Sequence, residues 1–129
     1  LKKENIFCGD FGVKSGYENG KEIFKNKKLT GVFISNNLMT IGFLKSAREN
    51  KMKIPNDISI FSFEEIEWSE FLGLEISSYK IPFDELGRST IDLLQRKISD
   101  KSFNGKVKVN LELVTNQKSS IKNLAKGGM

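Results

Sequence analysis

The chain has 129 residues, with 21 Lys and Arg against 16 Asp and Glu, a net charge of +5, one cysteine and no histidine. That length implies one domain with room for a core that needs no metal or disulfide. Without histidine, Ser-His and Cys-His nucleophilic mechanisms, the usual general base and most zinc sites are excluded, and a single cysteine cannot form an internal disulfide.

Ile6, Phe7 and Cys8 read as a short strand closing at Gly9-Asp10, with Cys8 expected to be a buried, inert thiol. Residues 15–25 read as a helix, with Ser15 as its N-cap and Tyr17, Ile23 and Phe24 available for burial. Residues 30–34 are an apolar, β-branched run. Leu38, Ile41, Leu44 and Ala47 then recur at helical spacing over residues 38–50, with Asn37 placed to cap. That stripe is expected to face the core, with Met39, Phe43 and Met52 pointing partly away. Pro55-Asn56-Asp57 is a turn, and Ile58, Ile60, Phe61 and Phe63 form a second apolar run. Strand, helix and strand make a right-handed βαβ unit of a parallel sheet.

Residues 66–74 read as an irregular, single-turn segment carrying Trp68, Phe71 and Leu72. A short strand follows at 75–79. Pro82 suits the first turn of a helix over 83–98, whose apolar face is Phe83, Leu86, Ile91, Leu94 and Ile98. Val107-Lys108-Val109 and Leu111-Glu112-Leu113 read as closing strands. Residues 1–118 are therefore one domain, which the resemblance described below makes a lobe, and 119–129 a frayed tail. The fold class is α/β, a parallel sheet flanked by helices on both faces.

Ligands of such sheets bind outside the carboxyl ends of the strands. Both central strands end there in polar groups, Ser35-Asn36-Asn37 and Glu64-Glu65. Adjacent strand-end carboxylates point in different directions, so one faces a crevice and the other does not. A single crevice carboxylate suits hydrogen bonding to hydroxyls better than proton transfer, and no catalytic residue is assigned. No GxxxxGK[ST] loop, no GxGxxG and no paired-cysteine metal motif occurs, so no cofactor and no metal is expected. The lysines are scattered without interleaved aromatics, which argues against a nucleic-acid surface. No apolar run reaches membrane-spanning length and no signal peptide is visible, so no membrane partner is expected.

Several of these segments together resemble the effector-binding core of the LacI/GalR family of bacterial transcriptional regulators, which is also similar to periplasmic sugar-binding proteins. The family's Ala/Ser-Asn-Asp-hydrophobic-Met-Ala-hydrophobic-Gly appears as Ser35-Asn36-Asn37-Leu38-Met39-Thr40-Ile41-Gly42. Its Val-Pro-Glu-Asp-Val-Ser-Val-Val-Gly-Phe-Asp-Asp appears as Ile54-Pro55-Asn56-Asp57-Ile58-Ser59-Ile60-Phe61-Ser62-Phe63-Glu64-Glu65. Gly9-Asp10-Phe11 with Ser15-Gly16-Tyr17 lies upstream. Glu85-Leu86-Gly87-Arg88, Leu93-Leu94 and Glu112-Leu113-Val114 lie downstream. The resemblance runs from about Gly9 to Val114.

The resemblance implies the second lobe of the two-lobed effector domain of a cytoplasmic repressor, with the helix-turn-helix and first lobe absent, so the chain is either a piece of a longer protein or a naturally truncated form. It implies a small-molecule effector, a sugar or derivative, and DNA contact only through a helix-turn-helix missing here. Phe11 matches the aromatic that stacks on the effector ring. Asn36 matches a strand-end amide that bonds the ligand. Asn37 stands where the family has Asp. Glu64 matches the crevice Asp with one more methylene, and Ile81 falls where some sugar-binding members carry a polar residue. A homodimer is implied, with Phe43, Trp68, Phe71 and Leu72 in its interface. Two alternatives stay open: a lobe of a periplasmic-type sugar-binding protein, and a doubly wound enzyme with a carboxylate site.

Overall fold

Asp10 and Ser15 shape the start of the first helix. The Asp10 carboxylate accepts the Gly12 N–H at 3.0 Å, and the Ser15 hydroxyl accepts from the Asp10 N–H and donates to the Gly12 carbonyl. Helix α1 therefore begins at Val13 and runs over Val13–Lys25, with Gly12 as its N-cap. Ser15 was expected to be that cap; it lies inside the first turn and works by closing the preceding loop. The structure, a computed structural model, describes residues 2–66, 69–74 and 76–115, with the side chains of Glu70 and Leu72 outside that description.

After α1 come strand β1 (Gly31–Ile34), helix α2 (Asn37–Glu49) and strand β2 (Ser59–Glu64). They form the expected βαβ unit, β1 and β2 pairing in parallel from Gly31↔Ser59 to Ile34↔Ser62. The turn between α2 and β2 is closed by the Lys53 N–H on the Asp57 carboxylate at 2.7 Å. A single 3-10 turn, Ser69–Leu72, leads to strand β3 (Ser77–Lys80), parallel to β2 with a register shift between Ser62 and Glu64. Helix α3 (Phe83–Ser99) follows, and strand β4 (Glu112–Val114) returns antiparallel to β3. The sheet is mixed, in the order β1-β2-β3-β4.

Two expected strands are not formed. Residues 6–8 pair with no strand; Cys8 is exposed, and its carbonyl instead accepts the Asn19 side-chain amide at 3.0 Å. Of the two closing runs only the later one joins the sheet, because Glu112–Val114 meets the free edge of β3 while Val107 stays half exposed.

The core lies between the sheet and α2, and between α2 and α1. Ile34, Ile58 and Ile60 supply the sheet side, and Ile23 and Phe24 the α1 side. Phe24 and Phe43 meet with ring centroids 5.1 Å apart. The two helices approach closely because glycines face each other's backbones. A Cβ on Gly42 would lie 1.9 Å from the Val13 carbonyl, and one on Gly16 2.1 Å from the Met39 carbonyl. Helix α2 is thus covered on two sides, and the expected orientation is corrected. Met39 and Phe43 are buried, while Leu38 is 46% exposed. A single-stripe reading assumes one packing partner, and α2 has two. Across the sheet interface, the Thr40 and Ser62 hydroxyls bond at 3.0 Å, both fully buried.

Candidate functional site

The carboxyl ends of β1, β2 and β3 converge on the amino end of α2. Asn36 lies two residues beyond β1 and caps α2: its side-chain oxygen accepts the Met39 N–H at 3.1 Å. The cap is Asn36 and not Asn37, because the cap must still be extended while its carbonyl already serves the helix, here bonding the Thr40 N–H. The Asn36 amide nitrogen donates to the Phe11 carbonyl at 2.9 Å. Both ends of that amide are therefore engaged, and its role is to join the Phe11 loop to the start of α2.

Phe11 sits at φ +63 and is 65% exposed. Ser15 and the Gly12 N–H hold the neighbouring Asp10 carboxyl below its ordinary range, which keeps the anionic form that closes this turn. The ring is thus presented at the strand ends without being part of the core.

Glu64 ends β2. Its carboxylate accepts the Asn37 N–H at 3.2 Å, where the positive end of α2 favours an anion. Beside this pair lies a cavity of about 570 Å³ lined by Asn37, Ile41, Glu64, Glu65, Ile66, Lys80, Ile81 and Phe83. Three of the five residues assigned from sequence, Asn37, Glu64 and Ile81, share it. Asn36 and Phe11 flank it through the bond between them and do not line it. Glu65, Lys80 and Phe83 had not been assigned. Lys80 was findable by the strand-end rule that marks Glu64 and Glu65, since it ends the third parallel strand. Phe83 had been read as the first residue of a core-facing helix stripe.

The interface residues fare differently. Phe43 is only 2% exposed and packs on Phe24, so it cannot contact a second copy; that assignment is corrected. Phe71 is 91% exposed. Trp68 and the side chain of Leu72 lie outside the described residues, as does the 119–129 tail. Among the described residues no group of His, Cys, Asp and Glu is arranged to hold a metal ion, and no helix is long and apolar enough to cross a membrane.

Residues 3–120 match the model of a periplasmic binding protein-like domain. The chain belongs to that family. Among curated proteins, this periplasmic binding protein-like chain is 30% identical over 115 residues to the HTH-type transcriptional regulator MalR of Clostridium butyricum, covering 88% of this chain and 34% of that protein. It is 33% identical over 97 residues to the HTH-type transcriptional repressor PurR of Histophilus somni, covering 74% and 29%. The chain thus spans about a third of the length of the curated relatives it matches.

Among solved structures, a LacI family transcriptional regulator of Enterococcus faecium with bound ribose superposes with a TM-score of 0.76 at 24% identity, over 92% of this chain and 43% of that one. The transcription regulator CcpA of Lactococcus lactis superposes with a TM-score of 0.79 at 18% identity, over 95% and 44%. The relatives are transcriptional regulators, and the fold expected from the LacI/GalR resemblance is the one found.

Proposed function

We propose that this periplasmic binding protein-like chain is the effector-sensing lobe of a LacI-type repressor whose DNA-binding head lies outside it. The observation that carries the reading is the cavity at the carboxyl ends of β2 and β3, where Glu64 and Asn37 meet. It supplies a carboxylate, an amide and a lysine beside apolar walls, the mixture that a polyhydroxylated ring requires. Phe11, raised beside it on the Asn36 bond, offers an apolar face for the ring's C–H surface. The effector is a sugar, in line with the ribose held by the E. faecium structure.

Effector binding works as a population shift. The ligand binds one arrangement of the lobe and its surroundings better than another, and the difference in affinity moves the DNA-binding heads. We read the site as one that binds a ligand rather than turns over a substrate, since the Glu64 carboxylate is already engaged by the Asn37 N–H at the start of α2. The working state is a cytoplasmic homodimer, with the exposed Phe71 in the contact.

Calorimetry with ribose and a panel of other monosaccharides on the complete regulator tests the site. Phe11→Ala and Glu64→Gln are each expected to weaken the binding sugar, the second by the roughly 1.5–3 kcal/mol of a hydrogen bond to a charged group. Unchanged affinity in both variants places the pocket elsewhere.

A further inference from the structure

The tripeptide Asn-Gly-Lys occurs twice, at Asn19-Gly20-Lys21 and at Asn104-Gly105-Lys106. In an Asn-Gly pair the glycine nitrogen can attack the asparagine side-chain carbonyl carbon. Glycine carries no side chain to block the approach and lets the backbone turn into it. The local sequence gives both pairs the same chemistry, and the structure puts them in opposite surroundings.

Asn19 and Gly20 lie inside α1, where the Gly20 N–H serves the helix ladder. Gly20 is buried, and a Cβ on it would lie 3.0 Å from the Ser46 Cβ. The Asn19 side-chain amide is bonded to the Cys8 carbonyl at 3.0 Å. The same helix supplies Ile23 and Phe24 to the core, so freeing the Gly20 nitrogen requires opening a core element.

Asn104 and Gly105 follow α3. The turn before them is fastened. The Asp100 carboxylate accepts the Ser102 N–H at 2.8 Å, the Lys97 ammonium donates to the Phe103 carbonyl at 2.8 Å, and the Arg96 guanidinium stands 6.0 Å from the Phe103 ring centre. Beyond Phe103 that support stops. Residues 104–111 form no helix or strand, and Asn104 and Gly105 are both exposed. Among the described residues the Gly105 N–H has no backbone acceptor. A Cβ on Gly105 would lie 2.3 Å from the Phe103 ring, so the fastened turn itself requires glycine at the attacking position.

We propose that Asn104 is a site of spontaneous deamidation through a cyclic imide with the Gly105 nitrogen, and that α1 protects the same sequence at Asn19. The Gly105 nitrogen gives up its proton and bonds to the Asn104 side-chain carbonyl carbon. The side-chain carbon–nitrogen bond breaks, and ammonia leaves with that proton. Water then opens the imide. Cleavage at the side-chain carbonyl gives aspartate, and cleavage at the main-chain carbonyl gives isoaspartate, whose backbone is one methylene longer. Either product lowers the net charge by one from +5. The new carboxylate stands one residue from the carbonyl that Lys97 holds, so a cation lies close to the product. The proposal does not depend on the regulator reading.

The test incubates the protein at mildly alkaline pH, folded and in urea, and follows each asparagine by peptide mass mapping with isoaspartate separated from aspartate. In the folded protein Asn104 is expected to convert at least about 100-fold faster than Asn19. Both isomers appear at position 104, with a less basic species on cation exchange. In urea α1 is gone, and Asn19 is expected to convert at a rate comparable to Asn104. Matching rates in the folded protein, or an Asn104 that converts only in urea, overturn the proposal. An Asn19 that stays intact in urea overturns the protection assigned to α1.

Discussion

The Glu64 carboxylate accepts the Asn37 N–H at 3.2 Å, so the end of β2 holds the start of α2. A charge at a helix N-terminus contributes about 0.3–1 kcal/mol. Glu64→Ala is therefore expected to lower stability by about that amount, and Glu64→Gln, which keeps an acceptor and loses the charge, by less. Urea unfolding followed by circular dichroism checks the order. Equal stability of the alanine variant would show that the carboxylate does not hold the helix.

Gly42 is where α1 and α2 come closest. A methyl group there meets backbone, the Val13 carbonyl at 1.9 Å and the Tyr17 nitrogen at 2.6 Å, and neither can swing aside. Gly42→Ala is expected to cost about 3 kcal/mol or more through overpacking. Thermal melts read this directly. A melting temperature within a degree of wild type would mean that the helices sit farther apart.

Ser46 faces the same seam, and its buried hydroxyl has no hydrogen-bond partner among the described residues. Removing an unpaired buried hydroxyl relieves its desolvation. Ser46→Ala is expected to raise stability by about 1 kcal/mol. A loss of stability would reveal a partner for the hydroxyl.

The Tyr17 hydroxyl donates to the Glu49 carboxylate at 2.5 Å and ties the rim of α1 to α2. That bond, with burial and the nearby carboxylates adding to it, raises the Tyr17 pKa above its ordinary 10.0. A raised folded pKa means that the contribution is complete below pH 10 and fades as pH climbs through the folded value. Unfolding midpoints should therefore fall more steeply above pH 10 in wild type than in Tyr17→Phe. Parallel curves for the two proteins would remove the coupling.

Phe71 projects 91% exposed from the turn after β2. If it lies in a two-fold contact, Phe71→Glu should convert a sedimenting dimer of the complete regulator to monomer with an unchanged circular dichroism spectrum. A variant that still sediments as a dimer would move the interface to another face.

Much of the fold is local and legible in the sequence. Apolar runs at 30–34 and 58–63, a helical repeat between them and polar residues at the strand ends specify the βαβ unit and the end at which a ligand sits. That pattern marks the strand-end groups that include Asn37 and Glu64, and the family resemblance singles out these two. What surrounds each element is not local. Phe43 looked like an outward residue because one stripe seemed enough for α2, and only the approach of α1 on Gly16 and Gly42 gave it a second buried side. Cys8 looked buried because its neighbours are apolar, but a strand needs a paired edge, and residues 6–8 have none. The amphipathic pattern of 83–98 states that α3 covers something without saying what, since periodicity records that a face is apolar and not which surface it meets. Lys80 and Phe83 enter the cavity because β3 runs parallel beside β2, a pairing between distant segments that only the tertiary structure decides.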